Sequence, residues 1–427
     1  MSDGGTGTIA AKADPRAAFR YPAFVYYQLA RFSIVVATEM QAVAVGWQVY
    51  EITRRPLDLG WVGLAQFLPS ILLFLLSGHA ADRFNRRNLL LLCDFGFAVC
   101  FALLIAITLR GNVSTVSIYA VLALLGVVRS FNGPVSRAIF PQLVPPEVFA
   151  SSVAWGSTFW QAATILGPVA GGMLYAFAER AFGHGAGPES VYACSFAAAI
   201  AAVALMLRVP AKERQRVKPS ATPGTVLEGF RYIWREKMIL GAISLDLFAV
   251  LLGGAVALLP VYAREVLQTG PWGLGILRSA PGVGAGVMAI AIAHYPLKRK
   301  AGATMLWCVA TFGLCTVIFG VSRSFAISLV ALFLVGASDM VSVIVRATLI
   351  QVATPDQMRG RVNAVDMIFI GASNELGQFE SGLTAQWFGS VAAVILGGIG
   401  AMAVTGLWAW IFPQLRKVEE LPMKELE

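Results

Sequence analysis

Charge is scarce in this chain. Only 13% of its 427 residues are Asp, Glu, Lys or Arg, whereas soluble domains run near a quarter, and that shortage excludes a water-soluble globular protein. Histidine is scarcer still: His79, His184 and His294 lie far apart, none at ligand spacing from another His or a Cys. Neither a metal centre nor another cofactor is expected. The five cysteines, Cys93, Cys100, Cys194, Cys308 and Cys315, all fall inside apolar runs, which argues against a disulfide framework. The sequence lacks a Gly-x-x-x-x-Gly-Lys-Ser/Thr phosphate loop, so nucleotide hydrolysis is not the expected energy source. The first twenty residues are polar and carry Lys12, Arg16 and Arg20, so no signal peptide is expected there.

What is abundant is apolar sequence. Hydrophobic residues make up 57% of the chain and the mean hydropathy is +0.70. A helix needs about 20 apolar residues to span a bilayer, and twelve such runs occur, near 23–50, 58–79, 88–109, 114–136, 148–177, 189–208, 239–263, 271–295, 302–321, 325–348, 363–386 and 389–412. The expected fold class is therefore an all-α membrane protein of twelve transmembrane helices. An even number of spans puts both termini on one side. With the termini inside, about 24 of the 33 Lys and Arg residues fall on cytoplasmic segments, counting Arg208 and Arg346 near the run ends among them, with 6 on outside loops and 3 in spans, which is the asymmetry that sets topology. The net charge of +9 is dispersed through short loops, which suits lipid headgroups and not nucleic acid.

The chain reads as two related halves. At an offset of 209, Arg137, Ala138, Gln142, Pro146, Glu147 and Val153 fall on Arg346, Ala347, Gln351, Pro355, Asp356 and Val362. At 210, Gly60, Gly63, Leu64 and Gly126 fall on Gly270, Gly273, Leu274 and Gly336. Two pseudo-symmetric six-helix bundles follow, residues 22–208 and 238–412, with a substrate site at their interface near the bilayer midplane. Cytoplasmic tails would occupy 1–21 and 413–427. The linker, 209–237, ends in a segment from Val226 to Arg235 that mixes apolar and basic residues at helical spacing. That segment is either an amphipathic helix on the inner membrane surface or a solvated connection.

Ionisable groups inside spans are costly and mark candidate sites. Glu39 leads them, mid-helix among apolar neighbours, where burial and a nearby cation can poise a carboxyl between proton loading and release. Arg129 is the expected cation, and Asp339, one position beyond its repeat equivalent, is expected to answer it from the other half. A structural ion pair is the alternative. Gln41 and Gln48, seven apart on one helix face, together with Asn132, Asn374, Glu375 and Gln378, are candidate cavity groups, or else they satisfy neighbouring helices. Trp47, Phe131, Trp155, Phe159 and Trp160 would contact a ring-bearing cargo or simply pack. Asp94, Asp246, Arg31 and Arg278 also fall in apolar runs but rank below Glu39.

Several stretches resemble one family. Gly78-His79-Ala80-Ala81-Asp82-Arg83-Phe84-Asn85-Arg86-Arg87 resembles the loop after the second helix of the major facilitator superfamily, Gly-x-x-x-Asp-Arg-x-Gly-Arg-Arg. Asn85 replaces a glycine there, and asparagine tolerates the left-handed turn that glycine would serve. Arg129-Ser130-Phe131-Asn132-Gly133 is similar to the Arg-x-x-Gln-Gly signature of proton-coupled members. Gly167-Pro168-Val169-Ala170-Gly171-Gly172 is similar to a Gly-Pro-x-x-Gly-Gly signature of exporters. The stretch from Thr354 to Val365, with Ile370 to Gly377, resembles the bacterial enterobactin-exporter-like branch of drug and macrolide efflux proteins.

The resemblance implies the major facilitator fold. It also implies a proton-coupled secondary exporter of a siderophore or amphipathic small molecule in a bacterial inner membrane, with no oligomer required. Proton coupling falls on Glu39, Arg129 and Asp339. Gating falls on Gly78, Asp82, Arg83, Arg86 and Arg87, with Asp82 meeting the N-terminal end of the eleventh helix, where a carboxylate is favoured. Gly167, Pro168, Gly171 and Gly172 would form a tightly packed bend. A facilitator, an importer or a lysophospholipid flippase is the same-class alternative. An intramembrane acyl or glycosyl transferase ranks lower, because no His-plus-acid or Cys-His set falls in one membrane region.

Overall fold

Pro22 opens the first long helix, at a position where its missing N–H would go unpaired in any case. The computed structural model describes residues 16–111, 113–211, 223–295 and 300–416, with side chains except those of 74, 75, 82 and 223–226. Among the described residues the elements are helices and turns, with no strand. In order they are α1 (Pro22–Thr53), α2 (Pro56–Leu72), α3 (Phe74–Arg83), α4 (Arg86–Leu109), α5 (Thr115–Ile139), α6 (Phe149–Phe182), α7 (Ala186–Leu207) and α8 (Pro223–Arg235). There follow α9 (Lys237–Leu252), α10 (Leu259–Val261), α11 (Gly270–His294), α12 (Ala301–Val321), α13 (Phe325–Ala353), α14 (Asp356–Phe388), α15 (Ser390–Ile411) and α16 (Pro413–Arg416).

Ten helices among the described residues are long and apolar enough to cross a membrane, against the twelve runs expected. The other two runs are helical but fail that measure for physical reasons. The second is interrupted at Leu73, one turn beyond Pro69. The eleventh, α14, carries Asn374, Glu375, Gln378 and Glu380 along its length, which lowers its hydropathy. Those groups are satisfied locally: Gln378 donates to Glu375 at 3.1 Å, Thr384 to Glu380 at 2.6 Å, and Asn374 to the Ile370 carbonyl at 2.8 Å. The seventh span is irregular after Gly253 and Gly254, and such backbone is tolerated at membrane depth only where protein covers it. Here Gly254 lies against the α14 backbone, where an added Cβ would stand 2.8 Å from the Gly377 carbonyl.

Asn85 has φ −64° and is not in the left-handed region. Its side chain instead accepts from the Arg87 and Asn88 amides and caps α4, so the glycine-to-asparagine departure gains a helix cap. Linker residues 223–235 form a helix. That helix, α8, is tied to α14 by Glu228–Arg361 at 2.5 Å and to the end of α13 by the Tyr232 hydroxyl donating to the Ala353 carbonyl at 3.1 Å.

Helices α1, α4 and α7 pack together with α2, α5 and α6; α11, α12 and α13 pack together with α9, α14 and α15. Two seams join these groups, α2 against α14 and α6 against α11. Toward the chain turn at Arg54, one continuous core includes Phe101, Leu122 and Tyr192 from the first group and Leu258, Tyr262 and Phe319 from the second. Toward the termini the cores divide, one around Phe24, Leu90 and Ile139, others around Met305, Val345 and Ile243. The two groups are therefore fused at one face and apart at the other.

The α6–α11 seam is backbone against backbone. An added Cβ at Gly172 would stand 2.5 Å from the Pro271 carbonyl, and one at Gly275 would stand 2.4 Å from the Pro168 carbonyl. Only glycine permits that approach, as small residues do wherever membrane helices meet closely. Gly172→Val should lower the melting temperature in detergent, since overpacking costs about 1–3 kcal/mol. Gly406→Ala, whose Cβ would meet nothing within 4 Å, should not. Equal melting of both variants would refute the close seam.

Candidate functional site

On the side where the cores divide lies a cavity of about 800 Å³, walled by helices of the first group, α1, α4, α5 and α6 and the end of α7. Tyr27, Arg31, Glu39, Asp94, Arg129 and Arg137 are its titratable lining. A second, mostly apolar space of about 670 Å³ runs between α2, α5, α8 and α14 and shares Arg129, Gly133 and Arg137 with the first.

The far end is shut by polar contacts between the two halves. Arg264 pairs with Glu51, and the Tyr50 hydroxyl donates to Glu265. The Arg264 guanidinium also lies over the Trp47 ring, 5.7 Å from its centroid, and Trp61 meets Phe379 at 5.2 Å. Below this clasp stands the Gly172–Gly275 contact. Beside it, Glu39 of α1 faces Arg278 of α11 at 3.8 Å.

The partner of Glu39 is thus Arg278, not Arg129. Arg129 instead donates to the Gln66 amide oxygen at 3.0 Å, although both Arg129 and Glu39 line the cavity. The α6 signature explains the geometry. Gly167 admits Glu39, whose Cβ would be 2.5 Å from an added Cβ there, and Gly171 admits the Met40 backbone. Gly172, next along, admits α11 three residues before Arg278. Gly167, Gly171 and Gly172 therefore bring together the two helices that carry the pair, while Pro168 supplies the carbonyl beside Gly275.

Asp339 does not face Arg129. It lies in the second half with Asp246, around a small void that both line with Ser338 and Ser342. Nearby Arg346, 3% exposed, contacts Asp246 at 2.5 Å and Asp366 at 3.5 Å. Gln41 and Gln48 are buried outside the cavity wall. Gln48 donates to Thr108 at 3.2 Å and accepts from the Tyr192 hydroxyl at 2.7 Å, so it serves packing within the first bundle. Asn132 lines the first cavity and Glu375 the second. Asn374 and Gln378 line neither. Glu375 lies within electrostatic reach of both Arg129 and Arg278.

Of the loop residues, Arg87 donates to the Leu207 carbonyl at 2.8 Å, tying α4 to the end of α7. Gly78 has open space around it, and Arg83 and Arg86 sit at the α3–α4 turn. The Asp82 side chain, and with it the expected contact to α14, lies outside the described residues. No group of three or more His, Cys, Asp or Glu among the described residues is arranged for a metal.

Sequence reasoning undervalued Arg278 and missed the Glu51–Arg264 and Tyr50–Glu265 clasp and the Arg346 cluster. Arg346 carried a signal, as the repeat equivalent of Arg137. The clasp sits at span ends, where charges are ordinary and attract no notice.

Two groups of apolar helices, fused at one face and parted at the other, with an arginine-bearing cavity on the parted side, define a membrane transporter. The Major Facilitator Superfamily model matches residues 28–378, and the chain belongs to that family of transporters, which are not enzymes. It is 26% identical over 416 residues to the multidrug efflux pump Tap of Mycobacterium tuberculosis (strain ATCC 25618 / H37Rv), covering 93% of this chain and 96% of that one. It is 24% identical over 405 residues to the enterobactin exporter EntS of Escherichia coli (strain SMS-3-5 / SECEC), covering 94% of each. Among solved structures, an inward-facing, unoccupied bacterial homologue of the human lysosomal transporter Spinster superposes with TM-score 0.73 at 14% identity, over 92% of this chain and 98% of that one. An inward-facing bacterial homologue of ferroportin gives TM-score 0.66 at 16% identity, over 90% and 98%.

Arg346 is the cation among three carboxylates, so removing it leaves buried charge uncompensated, a loss of about 3–5 kcal/mol. Arg346→Met should therefore unfold in detergent well below the wild type, and adding Asp246→Asn should recover part of the loss. A neutral single variant would show that the cluster carries no ionic strain.

Proposed function

We propose that this chain is a proton-coupled exporter of a siderophore or amphipathic small molecule, set in a bacterial inner membrane with both termini in the cytoplasm. The bundles 22–208 and 238–412 rock about the central cavity, with 209–237 joining them. The names of Tap and EntS support export, and the excess of Lys and Arg on the terminal side supports the orientation. On this reading the cavity described above opens to the cytoplasm and the clasp at Arg264 closes the outer face.

The observation that carries the proposal is the Glu39–Arg278 pair, one residue from each bundle, beside the glycine seam. A proton can drive a transition only if it binds the two states differently. In the cytoplasm-open state Glu39 is ionised and engages Arg278 as cargo binds. In the outward-open state a proton from outside takes the carboxylate, the pair loosens and cargo leaves. Arg278 thus takes the role expected of Arg129, while Asp339 remains a secondary proton-binding candidate within its own bundle.

Glu39→Gln keeps the size of the side chain and removes its titration. Gradient-driven uptake of efflux dyes and catecholate ligands into inverted vesicles should fall at least about tenfold, equivalent to roughly 1.4 kcal/mol, while gradient-free counterflow persists. Undiminished gradient-driven uptake would refute the coupling role. Uptake only under the opposite gradient would make the protein an importer.

A further inference from the structure

Positive charge in the cavity wall has no ion-pair partner among the described residues, although Glu375, across the second space, acts on Arg129 at a distance. Arg31, Arg129 and Arg137 line the 800 Å³ cavity, yet none of them enters an ion pair among the described residues. Arg31 lies over the Trp160 ring, 5.1 Å from its centroid. Arg129 is bonded to a neutral amide, Gln66, with Glu375 beyond pairing distance. Among the described residues, Arg137 reaches the Met367 sulfur at 3.8 Å and feels Arg31 as a like charge. Two acids share the wall, but Glu39 is held by Arg278, and Asp94 is 4% exposed and in no ion pair among the described residues.

Like charges gathered in a recess walled by protein repel more strongly than they would in bulk water. An oxyanion relieves that repulsion, and guanidinium groups match carboxylate and sulfonate oxygens in geometry as well as charge. Arg129 and Arg137 also border the second, apolar space, beside Phe67, Ile71, Phe230 and Ile368. We propose that Arg31, Arg129 and Arg137 form an anion subsite, and that the cargo is an amphiphile with a carboxylate or comparable oxyanion on an aromatic or aliphatic body. The head sits among the arginines, and the body lies along the wall between α5 and α14. This names the substrate class for the transport reading above and rests on that reading only in calling the ligand cargo.

Two fluorescent probes separate the head from the body: 8-anilinonaphthalene-1-sulfonate, and N-phenyl-1-naphthylamine, which has the same rings and no charge. Binding to the full chain in an uncharged maltoside detergent needs no gradient, so it is independent of transport. The sulfonate should bind the wild type about tenfold tighter than the amine, a ratio worth roughly 1.4 kcal/mol, and added salt should erode that preference. The double variant Arg31→Gln/Arg137→Gln should abolish the preference while leaving binding of the amine unchanged, which also reports that the variant has folded. Lysine at both positions should restore it. Equal affinity of the two probes for the wild type, a preference indifferent to salt, or a glutamine double variant that keeps its preference would each overturn the anion subsite. If the double variant does not fold, the two single glutamine variants and the salt series decide in the same way. Sulfonate preference in a protein that moves nothing across a membrane would sink the transport reading alone. Transport of cationic dyes without that preference would sink the subsite alone.

Discussion

A carboxylate and a guanidinium set 3.8 Å apart, one from each half of the molecule, cannot be held at membrane depth unless their helices are brought together. The glycines of α6 do that. They remove the side chains that would keep α1 and α11 at ordinary spacing, and the backbone of α6 becomes the wedge on which both helices rest. Charge pairing and close packing are thereby a single constraint. The seam places the pair, and the ion pair adds attraction to a contact that would otherwise be dispersion alone. The fused core toward Arg54 and the divided cores toward the termini follow from where that wedge stands.

The helical plan was legible because hydrocarbon demands long apolar runs, and most of those runs became single helices. The exceptions are informative. The run containing Pro69 breaks at Leu73, and α14 carries polar groups in excess because they bond to one another and to its own backbone. Asn85 shows a different limit. Its replacement of glycine reads as a turn residue, yet the same side chain serves as an acceptor for two amides. Both uses are local, and only the backbone angle separates them.

The candidate site was legible as residue types and not as partners. Glu39 and Arg278 both stand out as charges in apolar runs, but which guanidinium reaches the carboxylate depends on how α11 is rotated against α1. No spacing within either helix encodes that rotation. Gln48 illustrates the opposite error, since a glutamine facing along a helix with Gln41 is as well served by Thr108 and Tyr192 as by a cargo. The acidic cluster around Arg346 was half legible, through the repeat that aligns Arg137 with Arg346. The two positions sit in unlike surroundings: Arg346 is enclosed by carboxylates, whereas Arg137 opens onto the cavity.

Closure at the far face is built in two layers with different physics. The upper layer, Glu51 with Arg264 and Tyr50 with Glu265, is partly exposed, so dissolved ions reach it and screen it over the Debye length. The lower layer, Gly172 on Gly275, is uncharged and has no such sensitivity. In brine the latch slackens while the hinge-stop stays put, so salt loosens the charged layer of this face and spares the packed one.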